Sequence, residues 1–292
     1  MLTLKEYANK ISRLQSTRKM TKTMKMVSAN RLRRTQDARR RATAYLDPLL
    51  DVARRSIEGA ADPVDYPLLG RRGKQARCLL IVVTSDRGLC GSLNHAVNRQ
   101  AETWMKATAT DGVEVEVLCL GRRGHLYFKD RVQVARFEEG MTSRPRWSDS
   151  VRLAGELEQG FLSGRYREIW IAHSVPKTST SSTPTMSRWL PLVLEAPASK
   201  PGGPKRPALP LMEPSQPSLG RRLLPQVAMA RFHEILLGHA VAEHGARMMS
   251  MENATSNADK LIDSYTTQKN MARQASITRE LIEIVAGAEA LR

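Results

Sequence analysis

Apolar residues near the start of the chain recur at helical spacing. Leu4, Tyr7, Ile11 and Leu14 fall three and four apart, which puts them on one helix face. The pattern breaks at Arg18-Lys19 and resumes with Met20, Met24 and Val27, a coiled-coil-like seam with a discontinuity. No glycine precedes Gly59, so one long helix is expected over residues 2 to about 57, with Pro48 kinking it or ending it early. GAADPVDYPLLGRRGKQ, residues 59–75, reads as a linker by its glycines and prolines.

From residue 76 to about 195 the pattern changes. CLLIVV, VEVEVLCL and EIWIAH are strand candidates, alternating with helix-like segments at 92–108, 122–130 and 149–163. Such alternation predicts an α/β sandwich around a largely parallel sheet. KTSTSSTPTM, residues 177–186, reads as a polar loop, and the proline-rich run from Glu195 to Ser218 as an irregular segment.

From about residue 219 the chain turns helical again. Ile277, Leu281, Ile284, Ala288 and Leu291 repeat at four and three, a heptad seam. The preceding MENATSNADK keeps helical continuity but places Asn253, Ser256, Asn257 and Lys260 where an apolar stripe would need larger groups. At 1.5 Å per residue, terminal helices of about 55 and about 70 residues would span roughly 80 and 105 Å. A middle domain of about 150 residues has a radius of gyration near 15 Å. Both helices are therefore expected to project from it as an antiparallel pair. The expected division is an N-terminal stalk helix at 1–58, a globular foot at 75–217 and a C-terminal stalk helix at 218–292.

Charge narrows the partners. The formal net charge is +17 over 292 residues, with a pI of about 10.3, which suits acidic surfaces, nucleic acid or anionic lipid. Aromatic residues make up only 5 %, too few for platforms that stack single-stranded nucleic acid. Cys78, Cys90 and Cys119 have neither CxxC spacing nor a histidine pair nearby, and the six histidines share no ligand spacing, so no metal is expected. No run approaches membrane-spanning length, and charged and polar residues from Thr3 and Lys5 leave no apolar signal core. Arg18, Lys19, Lys22, Lys25, Arg31, Arg33, Arg34, Arg39, Arg40 and Arg41 form a cationic run. Asp37 is the only carboxylate between Glu6 and Asp47. Such a run is either a solvated face or a surface awaiting an acidic partner, which would relieve its self-repulsion.

TSDRGLCGSLN, Thr84–Asn94, follows a strand and precedes an amphipathic run, the usual setting of a phosphate loop. It lacks the GxxxxGK[ST] spacing and the closing lysine, so a strand-to-helix turn using Gly88 and Gly91 is the favoured reading. Cys90 has only Arg87 as a basic neighbour and reads as a packing residue. A nucleotide-dependent α/β enzyme would need convergent polar groups that no motif supplies, and a nucleic-acid-binding coiled coil rests on charge alone.

Three segments carry a family resemblance. ISRLQSTRKMTKTMKMVSANRLRRTQ, VVTSDRGLCGSLN and EHGARMMSMENATSNADKLIDSYTTQKNMARQASITRELIEIVAGAEAL resemble, in order, signatures of the γ subunits of F-type ATP synthases. LGRRGHLYF and MEPSQP with LLPQ are looser matches, and HSVPKTSTSSTPTM replaces a more hydrophobic stretch usual there. The resemblance implies an α/β fold class: a long antiparallel coiled coil of N- and C-terminal helices plus a Rossmann-like globular domain. It implies a non-catalytic central shaft, without a cofactor, that transmits torque between a membrane c ring and a hexamer of α and β subunits, beside an ε subunit. It places the chain peripherally on the cytoplasmic face of a bacterial inner membrane. Residue by residue, it implies that Met24, Lys25, Arg33 and Arg34 face the acidic lever of β. Arg87 would meet an acidic β loop. Arg273 and Gln274 would hydrogen-bond a second β loop, with Thr278 and Glu280 close by and Arg247 in the same network.

Overall fold

The computed structural model describes residues 3–57, 66–70, 77–110, 112–194, 213 and 215–290, with side chains described as far as 286. The chain forms two compact units, Met1–Ala29 with Arg247–Arg292, and Asn30–Ala246. Most of the linker at 59–75, most of the proline-rich run at 195–218, and the side chains of Ala288 and Leu291 lie outside the described residues.

The larger unit is built on a five-stranded sheet. Its strands are β1 (Arg77–Val83), β2 (Glu114–Leu120), β3 (Val134–Glu138), β4 (Glu168–Pro176) and β5 (Ser182–Leu190). They lie in the order β3-β2-β1-β4-β5; β1 to β4 are parallel and β5 is antiparallel to β4. This is a doubly wound order with a reversed edge strand. The helices α1 (Leu4–Ile57), α2 (Leu93–Thr110), α3 (Arg122–Phe128), α4 (Trp147–Leu162) and α5 (Gln216–Ala290) complete the described elements.

Side chains alternate across the sheet because a strand has a period of two. Leu79, Ile81, Val83, Leu118, Leu120, Ile169 and Ile171 point to one face, covered by α4 and by Ala53, Leu224, Val227, Ala228, Phe232 and Leu236 of α1 and α5. Leu80, Val82, Val117, Cys119 and Ala172 point to the other, covered by Val97 and Ala101 of α2 and Phe128 of α3. A strand buried on both faces reads as a continuous apolar run, as CLLIVV does. The inner part of β5 is anchored by Trp189, fully buried, whose indole N–H donates to the Ala228 carbonyl at 2.9 Å.

Two expectations are corrected here. The polar loop at 177–186 is a hairpin: only 177–181 turn, and Ser182 begins β5. Thr183 and Thr185 are β-branched and suit an edge strand that is only partly buried. Helix α1, by contrast, spans Leu4–Ile57 with Pro48 inside it, as one long helix was expected to. Tyr66 and Leu68, expected in the linker, are buried in the core, and the Leu68 carbonyl accepts the Leu192 N–H at 2.8 Å.

Candidate functional site

In the helix-pair unit, α1 and α5 meet along a strict seven-residue repeat. Tyr7, Leu14, Thr21 and Ser28, with Ile11, Arg18 and Lys25 between them, line the α1 side. Met251, Thr255, Ala258, Ile262, Tyr265, Lys269 and Ala272 line the α5 side. The expected seam through Met20 and Val27 is incorrect: Met20 is 65 % exposed and Val27 47 %, whereas Thr21 and Ser28 are buried. Small residues win those places because they let the helix backbones approach closely. The two threonines share a hydrogen bond between their hydroxyls at 2.8 Å. Arg18 pairs with Asp259 at 2.5 Å and Lys25 with Glu252. At the outer end the Tyr7 and Tyr265 rings stand 6.3 Å apart, with the Lys10 ammonium 5.3 Å from the Tyr265 centroid.

Past Ala272 this seam runs out. Tyr7 faces Tyr265 and α1 begins at Leu4, so antiparallel pairing reaches only a few residues further along α5. The repeat from Ile277 is therefore no interhelical seam among the described residues. Ile277, Leu281, Ile282, Ile284 and Val285 are 49–67 % exposed. Arg273, Gln274, Thr278 and Glu280 are exposed on the same stretch, and the Ser276 hydroxyl donates to the Glu280 carboxylate at 3.2 Å. Met24 is half-buried, Lys25 is engaged by Glu252, and Arg247 is buried. The cationic run is also less unanswered than α1 alone suggests, because Asp259, Glu252 and Glu234, all on α5, neutralise Arg18, Lys25 and Arg39. Exposed pairs of this kind contribute about 0–1 kcal/mol each.

In the larger unit, Arg33, Arg34 and Arg87 are exposed. Arg87 stands on the loop after β1, whose geometry answers what that loop is for. The Ser85 N–H is taken by the Asn94 amide oxygen at 2.9 Å and the Gly124 N–H by the Thr84 hydroxyl at 2.8 Å. The Asp86 carboxylate accepts the Arg122 and Gly140 N–H groups at 3.2 and 3.1 Å. A Cβ at Gly121, where φ is +97°, would stand 2.0 Å from the Thr84 carbonyl oxygen. The Asn94, Thr84 and Asp86 side chains thus turn inward, on the Ser85 N–H and on the neighbouring Arg122, Gly124 and Gly140 N–H groups, and hold the loop as a strand-to-helix turn. Cys90 and Leu93 pack against Ala242 of α5, so Cys90 is a packing residue. Leu89, at φ 65° and largely exposed, stands at the tip near Arg87, and no periodicity could have flagged it. Calorimetry on the full chain is expected to show no magnesium-dependent ATP binding at micromolar concentration; such binding would overturn this reading of the loop.

Buried histidines lie along α5. His239 accepts the Ser174 N–H on Nδ1 at 3.2 Å, and burial pushes its pKa down to about 3, helped by His173 and His244. His173 of β4 meets the Ser187 hydroxyl through Nε2 at 2.9 Å; burial and then Arg39 push it down to about 4. Among the described residues no group of three or more His, Cys, Asp or Glu is placed to hold a metal, and no helix is long and apolar enough to cross a membrane.

A helix pair with an exposed apolar end, joined in sequence to a doubly wound α/β unit, is the class of structure that these residues define. The chain matches the ATP synthase family over residues 3–291. It is 37 % identical to the ATP synthase gamma chain of Syntrophobacter fumaroxidans over 294 residues, covering all of both chains. It is also 37 % identical over 295 residues to that of an Anaeromyxobacter species, again covering all of both. The chain belongs to the family of ATP synthase gamma chains. In fold it is similar to a chain of the mitochondrial ATP synthase of Euglena gracilis, with a TM-score of 0.65 at 16 % identity over 99 % of this chain and 94 % of that one. A central-stalk and c-ring structure from Tetrahymena thermophila gives 0.55 at 16 % identity over 80 % and 99 %.

Proposed function

We propose that this chain is the rotor shaft of an F-type ATP synthase, carrying torque between the membrane c ring and the α/β ring while the nucleotide chemistry takes place in other subunits. The observation that carries this reading is the family likeness over the whole length of the chain. The apolar extension from Ile277, exposed here, supports it, since large exposed apolar groups on one helix end call for an enclosing partner.

In this reading the stalk helices are 1–58 and 218–292 and the foot is 75–217. The foot meets the ε subunit and the c ring, peripheral to the cytoplasmic face of a bacterial inner membrane. Arg33, Arg34 and Arg87, exposed on the larger unit, are contacts for acidic loops of β, with Leu89 beside Arg87. Met24 contributes a half-buried flank to that contact. Lys25 and Arg247 act from within the shaft, one through its pair with Glu252 and the other from a buried position. Arg273 and Gln274, with Thr278 and Glu280 one to two turns further on, form a polar catch remade at each β station. Hydrogen bonds to a charged group contribute about 1.5–3 kcal/mol, enough to define a dwell and weak enough to release.

The test is co-purification with tagged β subunit, followed by turnover and ion pumping on the same preparation. Replacing Arg273 and Gln274 together by alanine should leave assembly intact, because both project outside the interhelical seam. ATP hydrolysis should slow severalfold and coupling weaken. Full assembly with normal turnover would sink the catch, and failed co-purification of the unaltered chain would sink the shaft.

A further inference from the structure

A cleft of about 540 Å³ opens in the larger unit between α1, α5 and the start of α4. Ala38, Arg41, Ala42 and Tyr45 line it from α1 at i, i+3, i+4 and i+7, which is one helix face. Ala230 and His233 line it from α5, and Trp147, the first residue of α4, stands beside them. The three alanines leave room where larger side chains would have closed the contact between the helices. Tyr45 and Trp147 are 51 % and 48 % exposed, a large apolar area to leave in water. Their rings are nevertheless held: Trp147 meets Tyr45 edge-on at 6.5 Å and His233 edge-on at 5.3 Å, spacings at which aromatic pairs attract.

Two polar groups complete the lining, and their chemistry follows from their partners. The Ser150 hydroxyl donates its one proton to the Arg146 carbonyl at 3.0 Å. Its oxygen therefore accepts from Nδ1 of His233, 2.8 Å away. Burial lowers the His233 pKa, so the ring is neutral and Nε2 carries a lone pair. Nε2 has no hydrogen-bond partner among the described residues and, unlike Nε2 of His239, is not sealed from solvent. It is thus an acceptor open to the cleft that His233 lines. Arg41 is exposed and makes no ion pair among the described residues, since Asp37 is engaged by Arg40 and Glu234 by Arg39. Among the described residues no carboxylate lines the cleft. The result is an aromatic-walled space with one cation and one acceptor, within the range of about 300–1,000 Å³ usual for small-molecule sites.

We propose that this cleft binds a small planar aromatic acid that also carries an O–H or N–H donor. The ring packs against Tyr45 and Trp147 over the alanines, the carboxylate pairs with Arg41, and the donor bonds Nε2 of His233. A guanidinium fork matches a carboxylate in shape and charge. The lone pair on Nε2 disfavours a ligand without a donor, because displacing water there would leave the nitrogen unpaired. Seven lining residues suit one small ligand, whereas a stable protein interface takes about 20–30 residues a side. None of the seven is among the residues assigned above to the shaft's partners, and the site does not depend on the shaft reading.

Calorimetry of the full-length chain with para-hydroxyphenylpropionate tests this, and saturable binding is expected. Phenylpropionate, which lacks the hydroxyl, should bind about two- to tenfold more weakly, the range of one neutral hydrogen bond. Tyramine, with an ammonium in place of the carboxylate, should bind far more weakly than either acid. Arg41→Gln should weaken the hydroxy acid about tenfold or more, as loss of a bond to a charged group does. His233→Phe should bring the two acids to equal affinity, with circular dichroism confirming the fold. Absence of saturable binding, unaltered binding in Arg41→Gln, or tyramine held as tightly as the acid would each overturn the site. Equal affinity of the two acids for the unaltered chain, a comparison that needs no variant to fold, would overturn the role of Nε2. Binding lost once the chain is assembled with tagged β subunit would show a protein segment in the cleft and overturn its assignment to a small molecule.

Discussion

Lowering the pH from 7.5 to 5.5 is expected to remove a large part of the stability of the α/β unit before its carboxylates are protonated. The cause is the pair His173 and His239, both buried in their neutral forms. Unfolded, each has a pKa near 6.5. Folded, the values are about 4 and about 3, set first by burial. The folded pKa lies below the unfolded one, so the unfolded chain takes up protons first. Stability from these groups is complete above pH 6.5 and falls as pH drops toward the folded values. The slope is at most about 1.4 kcal/mol per pH unit for each histidine, so the pair removes up to roughly 3 kcal/mol by pH 5.5 against a usual total of about 5–15. His233, lowered by burial, adds in the same direction. Glu158 opposes them: burial raises its pKa, so its cost is present above its folded value and relieved below it. Urea unfolding followed by tryptophan fluorescence reads this unit alone, since Trp104, Trp147, Trp170 and Trp189 all lie in it. His239→Asn keeps an acceptor for the Ser174 N–H and does not titrate. It should flatten the dependence by close to one histidine's share, and an unchanged slope would remove His239 from the account.

The central strands are legible in the sequence because burial on both faces forces an unbroken apolar run, which chance seldom produces. β5 is not, because an edge strand is partly buried and can be built from Ser and Thr, the residues that also build turns. The helix pair shows a deeper limit. Searching for apolar groups finds Met20 and Val27, but a close-packed pair of helices selects for size and not only for polarity. Thr21, Ser28 and Ala258 occupy the contact, and Arg18 and Lys25 occupy repeat positions because Asp259 and Glu252 stand opposite. A seven-residue repeat in which Tyr7, Leu14, Thr21 and Ser28 are equivalent was available in the sequence, but no apolar rule marks it. The same effect hides the neutralisation of the cationic run, because the answering carboxylates lie more than 190 residues away. The residues proposed to contact partners are a different matter. Arg273, Gln274 and Arg87 look like any exposed polar position, and only their place in matching segments singles them out.

Replacing Ile277, Leu281 and Ile284 together by glutamine should abolish stable association with the α/β ring while leaving the isolated chain as stable as before. These residues stand at i, i+4 and i+7 on one helix face and are 49 %, 57 % and 67 % exposed. Being already in water, they contribute little to the fold. Glutamine is a good helix former, so the change in unfolding free energy should stay within about 0.5 kcal/mol. An enclosing ring changes the arithmetic. Fully covering a side chain of this size contributes about 1.5–3 kcal/mol. Roughly half of each is available to be covered, which gives about 3 kcal/mol for the three and a loss of affinity above a hundredfold. The proposed polar catch at Arg273 and Gln274 would be left intact but unseated. Pull-down with tagged β, alongside circular dichroism of the free chain, separates the possibilities. Lost association with unchanged helicity is the expected result. Retained association would mean that the apolar end stays in water within the complex, and lost helicity would mean that it supports the helix itself.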